Sequence, residues 1–393
     1  MATEKRDSMG SVGIIAEYNP FHNGHLYHLQ EIKKMYPEDT IILAMSGNFS
    51  QRGEPTIIDK WKRAKIAIEA GVDLVVEIPY SFVTQSADYF SYAAITLLEK
   101  LKVEKFIFGS ESDNLEDLIE IAKAQLQNDE FDKLVKIYSK LGNNYPTALS
   151  LALKDLTGKE IKTPNDILGI SYLKTIEKYH YNIKPITIKR INNYHQQKLT
   201  GTISSATAIR NSIKLGQDIT NTVPKITSQE LKNIHLKDDY FTYLKYKIMT
   251  EDDLTKYHLV DKDLASKLKK NINTYNDYDS LIQSIKSKHQ TYSKISRALL
   301  HILCNYHKEE AKRQTDLTYI RLLGFNDKGR GYLNQYKKEI TLPIISKITK
   351  HKDSLLETEL RTTKIYTLPY KEQDKEFKKE YQNTLYIKGD KYD

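Results

Sequence analysis

The stretch SVGIIAEYNPFHNGHLYHL, residues 11–29, decides the fold of this 393-residue chain. Its first part, SVGIIAEYN, is an almost continuous apolar run, which predicts a strand buried on both faces. A helix is predicted from about Gly24 to Met35. Between the two lies HNGH, an HxGH motif in which Asn23 and Gly24 separate two histidines. The sequence therefore predicts a βα unit whose connecting loop carries polar groups.

The same alternation continues through the first half of the chain. Four further strands are predicted in DTIILAMSG, DLVVEIP, KFIFGSE and NIKPITIKRI, with helices between them. Apolar strands joined by helices predict an α/β fold with an open, doubly wound, mostly parallel, Rossmann-like sheet. Ligands bind such sheets at the carboxyl ends of the strands. The loops EYNPFHNGH, MSGNFSQRGEP and FGSES fall at such ends.

Strand signals fade in the second half, where amphipathic patterns such as TYSKISRALLHILCNYH predict helices. The tail after Ile320 mixes helical patterns with short strand-like pieces such as TKIYTL. We therefore predict two regions, an α/β domain over residues 10–216 and a mainly helical region over residues 217–393. The first ten residues, MATEKRDSMG, lack the apolar core of a signal peptide.

The formal net charge of +9 is unevenly distributed. From residue 216 onward the chain has 33 Lys and Arg against 25 Asp and Glu, so this half holds nearly all of the excess. The excess predicts a polyanionic partner, although solvated lysines of a Lys-rich protein would give the same count. No apolar run approaches the roughly 18 residues that span a bilayer, so no membrane association is expected. Cys304, the only cysteine, excludes an intramolecular disulfide and fits a reducing cytoplasm.

The HxGH motif suits phosphate binding. Gly24 lets a ligand approach the backbone, and a helix N-terminus offers free N–H groups with partial positive charge. His22 and His25 could donate hydrogen bonds to phosphate oxygens as charge builds on them in a transition state. A zinc site would need three or four ligands, and no Cys or HExxH accompanies the histidines, so no protein-bound zinc is expected. His28 is left without an assigned role.

A second element, TISSATAIR, places Ser204, Ser205 and Thr207 at a predicted helix start, with Arg210 about one turn later. Hydroxyls, a helix N-terminus and a guanidinium can together hold a triphosphate. No lysine stands beside the serines. Neutralisation of the triphosphate would therefore depend on Arg210, the histidines and Mg²⁺ carried on the phosphates of ATP.

Together, HxGH and the late SSATAIR resemble the nucleotidyltransferase superfamily. Four segments carry a closer resemblance to the bacterial tRNA(Met) cytidine acetate ligase family: VGIIAEYNPFHNGHLYHL, AMSGNFSQRGEPTIIDKWKRAKIAIEAGVDLVVEIP, TPNDILGISYL and IKRINNYH. The resemblance implies an ATP-dependent ligase with two steps. Acetate and ATP give acetyl-adenylate and pyrophosphate. The acetyl group then passes to N4 of the wobble cytidine of elongator tRNA(Met), giving N4-acetylcytidine and AMP.

The resemblance also implies roles for particular residues. The ATP-binding set would be Ile15, Ala16, Glu17, Tyr18, Asn19, Pro20, Phe21, His22, Asn23, Gly24, His25, Leu26, Tyr27, His28, Gly109, Asn165, Arg190, Ser204 and Ser205. The catalytic set would be His22, His25, Lys60 and Arg210. By position, Asn48, Gln51 and Arg52 would lie on the acceptor side, although Arg52 and Lys60 could instead be surface residues or helix-flanking charges.

The predicted tRNA contacts combine basic residues with neighbouring aromatics, a combination that suits backbone contact plus base stacking. They are Lys286, Lys288, Lys294, Arg297, Arg321, Lys328 and Arg330. An ordinary solvated surface is the alternative for any one of them. Two other functions stay open at this point. One is a small-molecule cofactor adenylyltransferase, which leaves the basic half without a task, and the other is a non-catalytic RNA-binding protein.

Overall fold

A computed structural model of the chain describes residues 9–127, 129–143, 145–159, 163–190, 201–287, 290–348, 352–382 and 385–389. The strands of this described part are β1 Ser11–Ala16, β2 Thr40–Ser46, β3 Leu74–Ile78, β4 Lys105–Ser110, β5 Lys184–Lys189, β6 Ile320–Asn326, β7 Ile344–Ile345 and β8 Tyr386–Lys388. All of them belong to one sheet, so a single layer organises the molecule.

The helices of the first 216 residues, where described, lie among the strands. They are α1 Asn23–Met35, α2 Lys60–Ala70, α3 Tyr80–Val83, α4 Ala87–Lys100, α5 Leu115–Gln127, α6 Asp129–Lys140, α7 Tyr145–Thr157, α8 Pro164–Tyr179 and α9 Ala206–Lys214, with α5 to α8 following one another between β4 and β5. The later α-helices are α10 Lys225–Glu230, α11 Phe241–Thr250, α12 Lys262–Asn271, α13 Tyr278–Ile285, α14 Tyr292–Leu303, α15 Lys308–Arg313, α16 Asp327–Tyr336, α17 Ser354–Tyr366 and α18 Gln373–Lys378. In the described chain no helix is long and apolar enough to cross a membrane.

The strand order is β5-β4-β1-β2-β3-β6-β7, with β8 paired to β6. The first five strands pair with one another only in parallel, which confirms the predicted doubly wound sheet. Alternate side chains of β2 enter different cores. Ile41 and Leu43 pack with α1 and α2, whereas Ile42 and Ala44 pack with α4. Because both faces are covered, both alternating positions must be apolar, which explains the continuous apolar runs of the sequence.

The sheet crosses the predicted boundary at residue 216. Strand β6 lies antiparallel beside β3, and β7 and β8 both pair with β6, so the end of the chain completes the N-terminal sheet. The strand prediction for TKIYTL is wrong, because those residues lie in and just after α17. The buried positions Leu355, Leu356, Thr362 and Tyr366 follow a helical spacing instead. The segment between α9 and β6 is helical, as predicted, and has its own hydrophobic core.

A fully buried cluster of charges joins the two halves. Lys60 begins α2, and its Nζ lies 2.8 Å from Glu77 Oε1 on β3, 3.5 Å from Glu359 Oε1 on α17 and 3.0 Å from Glu380 Oε1. Burial and the Glu359 charge raise the pKa of Glu77 to about 8. Arg321 on β6 approaches Glu380 at 3.8 Å and stacks over Trp61. The C-terminal carboxylates are therefore held by a cation of the N-terminal half.

Replacing Lys60 by methionine should lower the free energy of unfolding by about 3–5 kcal/mol, because it leaves buried carboxylates without their cation. Chemical denaturation would measure the loss. Lys65→Met is the matched control. Lys65 lies on the same helix, is partly exposed and pairs with Glu230 at 3.0 Å, so its loss should cost about 0–1 kcal/mol. Equal effects of the two substitutions would contradict the importance of the cluster.

Candidate active site

A cavity of about 320 Å³ opens at the carboxyl ends of β1, β4 and β5. Its walls come from these strand ends, the starts of α1, α8 and α9, and the loop after β2. The predicted site residues that line it are Ile15, Ala16, Glu17, Tyr18, Asn19, His22, Gly24, His25, Tyr27, His28, Gln51, Arg52, Gly109, Asn165, Arg190, Ser204, Ser205 and Arg210. Pro20, Phe21, Asn23 and Leu26 belong to the same loop and helix but do not line the cavity.

The two histidines of the HxGH motif cap the start of α1. Nδ1 of His22 accepts the Gly24 N–H at 3.1 Å, and the His22 N–H donates to Nδ1 of His25 at 3.3 Å. Their rings stack with centroids 3.7 Å apart. Since each Nδ1 accepts a hydrogen bond, the ring proton of each neutral imidazole lies on Nε2. Both rings can therefore donate from Nε2.

The electrostatic surroundings keep these imidazoles neutral. Burial, followed by the positive charges of Arg190 and Arg210, lowers the pKa of His22 to about 3. Burial and the neighbouring His22 lower the pKa of His25 well below its usual value. A Cβ at Gly24 would lie 3.0 Å from the His22 ring, so the glycine lets the ring sit over the helix start without being displaced. The motif thus supplies neutral hydrogen-bond donors.

The second predicted phosphate element meets the first one across the cavity. Ser205 caps α9 by accepting the Ala208 N–H at 3.1 Å. Arg210 on that helix donates to the Asn19 carbonyl at 2.7 Å. Asn23 at the start of α1 donates to the Thr202 carbonyl at 2.8 Å, which ties the two helix starts together. Two helix N-termini and a guanidinium therefore face one space, an arrangement suited to a polyphosphate.

The opposite wall is built around two carboxylates that the sequence analysis did not single out. Asp166 on α8 is buried, and its oxygens accept from Ser110 Oγ, the Glu111 and Ser112 N–H groups and Thr163 Oγ1. Glu111 in turn accepts from the Asn165 side chain and the Asp166 N–H. These bonds hold the end of β4 against the start of α8. The hydroxyl-rich FGSES loop beside PNDIL is the signal that could have indicated them.

Gly109 and Arg190 lie together on this wall. A Cβ at Gly109 would come within 3.1 Å of Arg190 Cγ, so the glycine makes room for the arginine to cross the strand end. Apolar lining by Ile107, Leu168 and Ile188 surrounds them. This side suits a flat, partly apolar group such as a nucleobase, whereas the HxGH side suits phosphates.

Four predicted acceptor-side and catalytic residues do not lie together in the structure; they are Asn48, Gln51, Arg52 and Lys60. Gln51 and Arg52 line the cavity, and Arg52 approaches Thr207 Oγ1 at 3.4 Å. Asn48 is buried outside it, where its Oδ1 accepts the Lys60 N–H at 3.0 Å. The Lys60 side chain points into the buried cluster of Glu77, Glu359 and Glu380 rather than into the cavity. In this structure Lys60 therefore cannot contact a ligand there.

The proposed tRNA contacts occupy different surroundings. Arg321 is only 1% exposed and cannot reach a phosphate backbone. Lys328 donates to the Asp39 carbonyl just before β2, and Arg330 lies over Phe325, so both are at the amino end of the sheet, opposite the cavity. Arg297 donates to the carbonyl of the cavity residue Gln51. Lys286 is exposed and Lys294 partly exposed, while Lys288 lies outside the described residues.

Among the described residues, no three His, Cys, Asp or Glu side chains are grouped so that they could hold a metal ion. Cys304 is buried at the end of α14, and burial raises the pKa of its thiol to about 12.

Comparisons with known proteins agree with this geometry. Residues 9–382 match the HIGH Nucleotidyl Transferase family model. The tRNA(Met) cytidine acetate ligase of Geobacillus sp. WCH70 is 40% identical over 383 residues, covering 93% of this chain and 96% of the relative. The protein of that name from Caldicellulosiruptor saccharolyticus is 38% identical over 396 residues, covering 96% and 99%.

Two crystal structures of Thermotoga maritima TmcAL superpose on nearly the whole chain. The apo form gives a TM-score of 0.89 at 30% identity, and the form bound with alpha-thio ATP gives 0.86 at 29% identity. Each superposition covers 96% of this chain and 100% of the other.

Histidine burial at this site predicts a pH-dependent stability. Burial and Arg190 lower the pKa of His28 to about 4, and its Nε2 is buried without a described partner. The unfolded chain, with a His pKa near 6.5, therefore binds this proton first as pH falls, and folding loses stability between pH 6.5 and 4. His28→Gln should make the fall in the free energy of unfolding between pH 6.5 and pH 4 smaller by about 1–3 kcal/mol. The lower figure applies if water enters the cavity and hydrates the imidazole. Urea unfolding at pH 7 and pH 4 measures it. A difference between variant and wild type that is the same at both pH values would contradict the prediction.

Proposed function

This chain belongs to the HIGH Nucleotidyl Transferase family and, within it, to the tRNA(Met) cytidine acetate ligases, and we propose that it activates acetate with ATP and acetylates a tRNA cytidine. One observation gives this chemistry its strongest support. Two neutral imidazoles, His22 and His25, present Nε2–H donors at the N-terminus of α1 inside a cavity that Arg210 also lines.

In the first step, an acetate oxygen attacks the α-phosphorus of ATP, and the bond to the bridging oxygen of pyrophosphate breaks. Negative charge grows on the α-phosphate oxygens and on the leaving group. Donors fixed in advance by the capping bonds lose no energy by reorienting, so they stabilise this charge efficiently. Arg210 and Mg²⁺ carried on the β- and γ-phosphates would neutralise the pyrophosphate.

In the second step, N4 of the wobble cytidine of elongator tRNA(Met) attacks the acetyl carbon, and AMP leaves. The reaction gives N4-acetylcytidine. The base has to leave its stack to reach the cavity, as it can in a single-stranded anticodon loop. The loop after β2, which supplies Gln51 and Arg52 to the cavity, is the proposed entry side.

The tRNA backbone would be held by the basic C-terminal half. Lys294 and Arg297 are three residues apart on α14 and so share one face of that helix. Arg297 contacts Gln51 at the cavity wall. This face is accordingly the proposed tRNA contact nearest to the reaction, and the exposed Lys286 at the end of α13 is a further candidate. Lys328 and Arg330 stay candidates only for a tRNA that reaches the far end of the sheet.

Exchange of labelled pyrophosphate into ATP tests the first step. The wild type should catalyse exchange with acetate, and His25→Ala should slow it by about 30- to 1000-fold, or roughly 2–4 kcal/mol, because a transition-state donor is lost. Affinity for tRNA should stay close to wild type. His180→Asn, at the exposed end of α8, is the control and should exchange normally.

Exchange that required a nucleotide or another large acid instead of acetate would favour a cofactor adenylyltransferase. Salt-sensitive tRNA binding without any exchange would favour a non-catalytic RNA-binding protein.

Two lysines provide a matched pair for the tRNA surface. Lys294→Ala should weaken tRNA binding and reduce the slope of log affinity against log salt by about one, because one phosphate contact is lost. Lys328→Ala, at the opposite end of the sheet, should leave that slope unchanged. Filter binding at several salt concentrations measures both. If only Lys328→Ala altered the slope, the tRNA would lie on the other end of the molecule.

A further inference from the structure

The cavity contains one carboxylate among many positive groups. Of the described residues that line it, only Glu17 is acidic, whereas Arg52, Lys189, Arg190 and Arg210 are cationic. A carboxylate beside the phosphates of ATP repels them. Repulsion of this kind does not favour ATP binding, whereas a carboxylate here is suited to accept a proton from a reacting group.

The position of Glu17 is fixed by its backbone and by one hydrogen bond. It follows β1 directly, and its carbonyl accepts from Arg63 Nη1 at 2.6 Å. Its Oε1 accepts the Gln51 N–H at 2.6 Å, and the structure describes no other hydrogen bond to this carboxylate. Glu17 therefore lies between β1 and the loop after β2, on the proposed entry side for the cytidine.

The second step of the proposed reaction needs such a group. The lone pair of the cytidine N4 amine is conjugated with the ring, so the amine is a weak nucleophile and must lose a proton as its bond to carbon forms. General-base assistance of this kind typically contributes about 10²- to 10⁴-fold. Without a base, the adenylate would form but react slowly with the tRNA.

The other polar groups near this position are poorly suited to accept that proton. Nδ1 of both His22 and His25 already accepts a backbone N–H, and Nε2 is protonated. Burial lowers the pKa of His28 to about 4, which makes it a weak base. Burial raises the pKa of Tyr18, so its hydroxyl keeps its proton. The arginines and Lys189 are cations without a free lone pair.

We propose that Glu17 is the general base of the acetyl-transfer step, a role that rests on the proposed function. The N4 lone pair forms a bond to the acetyl carbonyl carbon, and the Glu17 carboxylate takes one N4 proton. The bond between that carbon and the phosphate oxygen then breaks, and AMP leaves with the bonding electron pair. The proton passes from Glu17 to solvent, so the net products are N4-acetylcytidine, AMP and a proton.

Glu17→Gln separates the base from the positioning role, because the amide oxygen can still accept the Gln51 N–H while the side chain can no longer take a proton. Three rates are compared with wild type. They are ATP–pyrophosphate exchange with acetate, trapping of the enzyme-bound acetyl-adenylate by hydroxylamine, and single-turnover transfer to unmodified elongator tRNA(Met). Hydroxylamine is a strong nucleophile that needs no base. Because Glu17 belongs to the predicted ATP-binding set, the test is the ratio of rates within the variant: transfer should fall by about 10²- to 10⁴-fold relative to exchange and trapping.

Glu17→Asp, which keeps a carboxylate at shorter reach, should recover part of the transfer rate. Glu31→Gln changes an exposed-face carboxylate of α1 that pairs with Lys34 and should leave all three rates unchanged.

Two results would overturn the assignment of Glu17. One is transfer at the wild-type rate in Glu17→Gln, and the other is an equal fall of exchange, trapping and transfer, which would indicate a role in ATP binding or folding. A wild-type enzyme that shows no acetate-dependent exchange would instead remove the proposed function itself, and the assignment with it.

Discussion

The site depends on one buried guanidinium. Arg63 on α2 donates to the carbonyls of Glu17, Ser46, Gly47 and Ile58. These carbonyls belong to the end of β1, the end of β2 and the loop before α2. Parallel strands leave such carbonyls unpaired at their carboxyl ends, and a buried charge needs donors and acceptors matched around it. The planar Arg63 guanidinium meets both requirements. It also holds together the strand ends and the loop beside which His22, Glu17 and Gln51 are arranged.

Much of this was readable from sequence, for identifiable reasons. The strands β1 to β5 follow from continuous apolar runs, and the phosphate side follows from the spacing of HxGH and SSATAIR, since both are local patterns tied to helix starts. The sequence predicts ligand contacts for Lys60 and Arg321, and the structure contradicts both because carboxylates from distant segments compensate their charges in the interior. Sequence shows the charge of a lysine but not its burial. For a related reason, the sequence does not single out strand β6. RLLGFN becomes a strand by pairing with β3, which is distant in the sequence.

The cavity divides its tasks by charge state. Neutral imidazoles at the start of α1 offer hydrogen-bond donors without a full positive charge. A full charge there would bind the product as tightly as the transition state. Arg190 and Arg210 supply the full charges, and in return depress the His22 pKa further. Each oxygen of Asp166 and Glu111 accepts at least one hydrogen bond from the residues that join the end of β4 to the start of α8. Glu17, by contrast, has spare accepting capacity, and this difference between structural and available carboxylates is visible only from the hydrogen-bond partners.

The late arrival of β6 has a consequence for synthesis on the ribosome. Until residues 320–326 have emerged, β3 is an exposed sheet edge, and Lys60 lacks the partners that α17 and Glu380 provide. An unpaired apolar edge is prone to association with other chains. The sheet of the nascent N-terminal half therefore stays incomplete while the whole helical segment is translated. A cut between the halves would separate β3 and Lys60 from β6, Glu359 and Glu380, so we expect neither fragment to fold into the complete sheet.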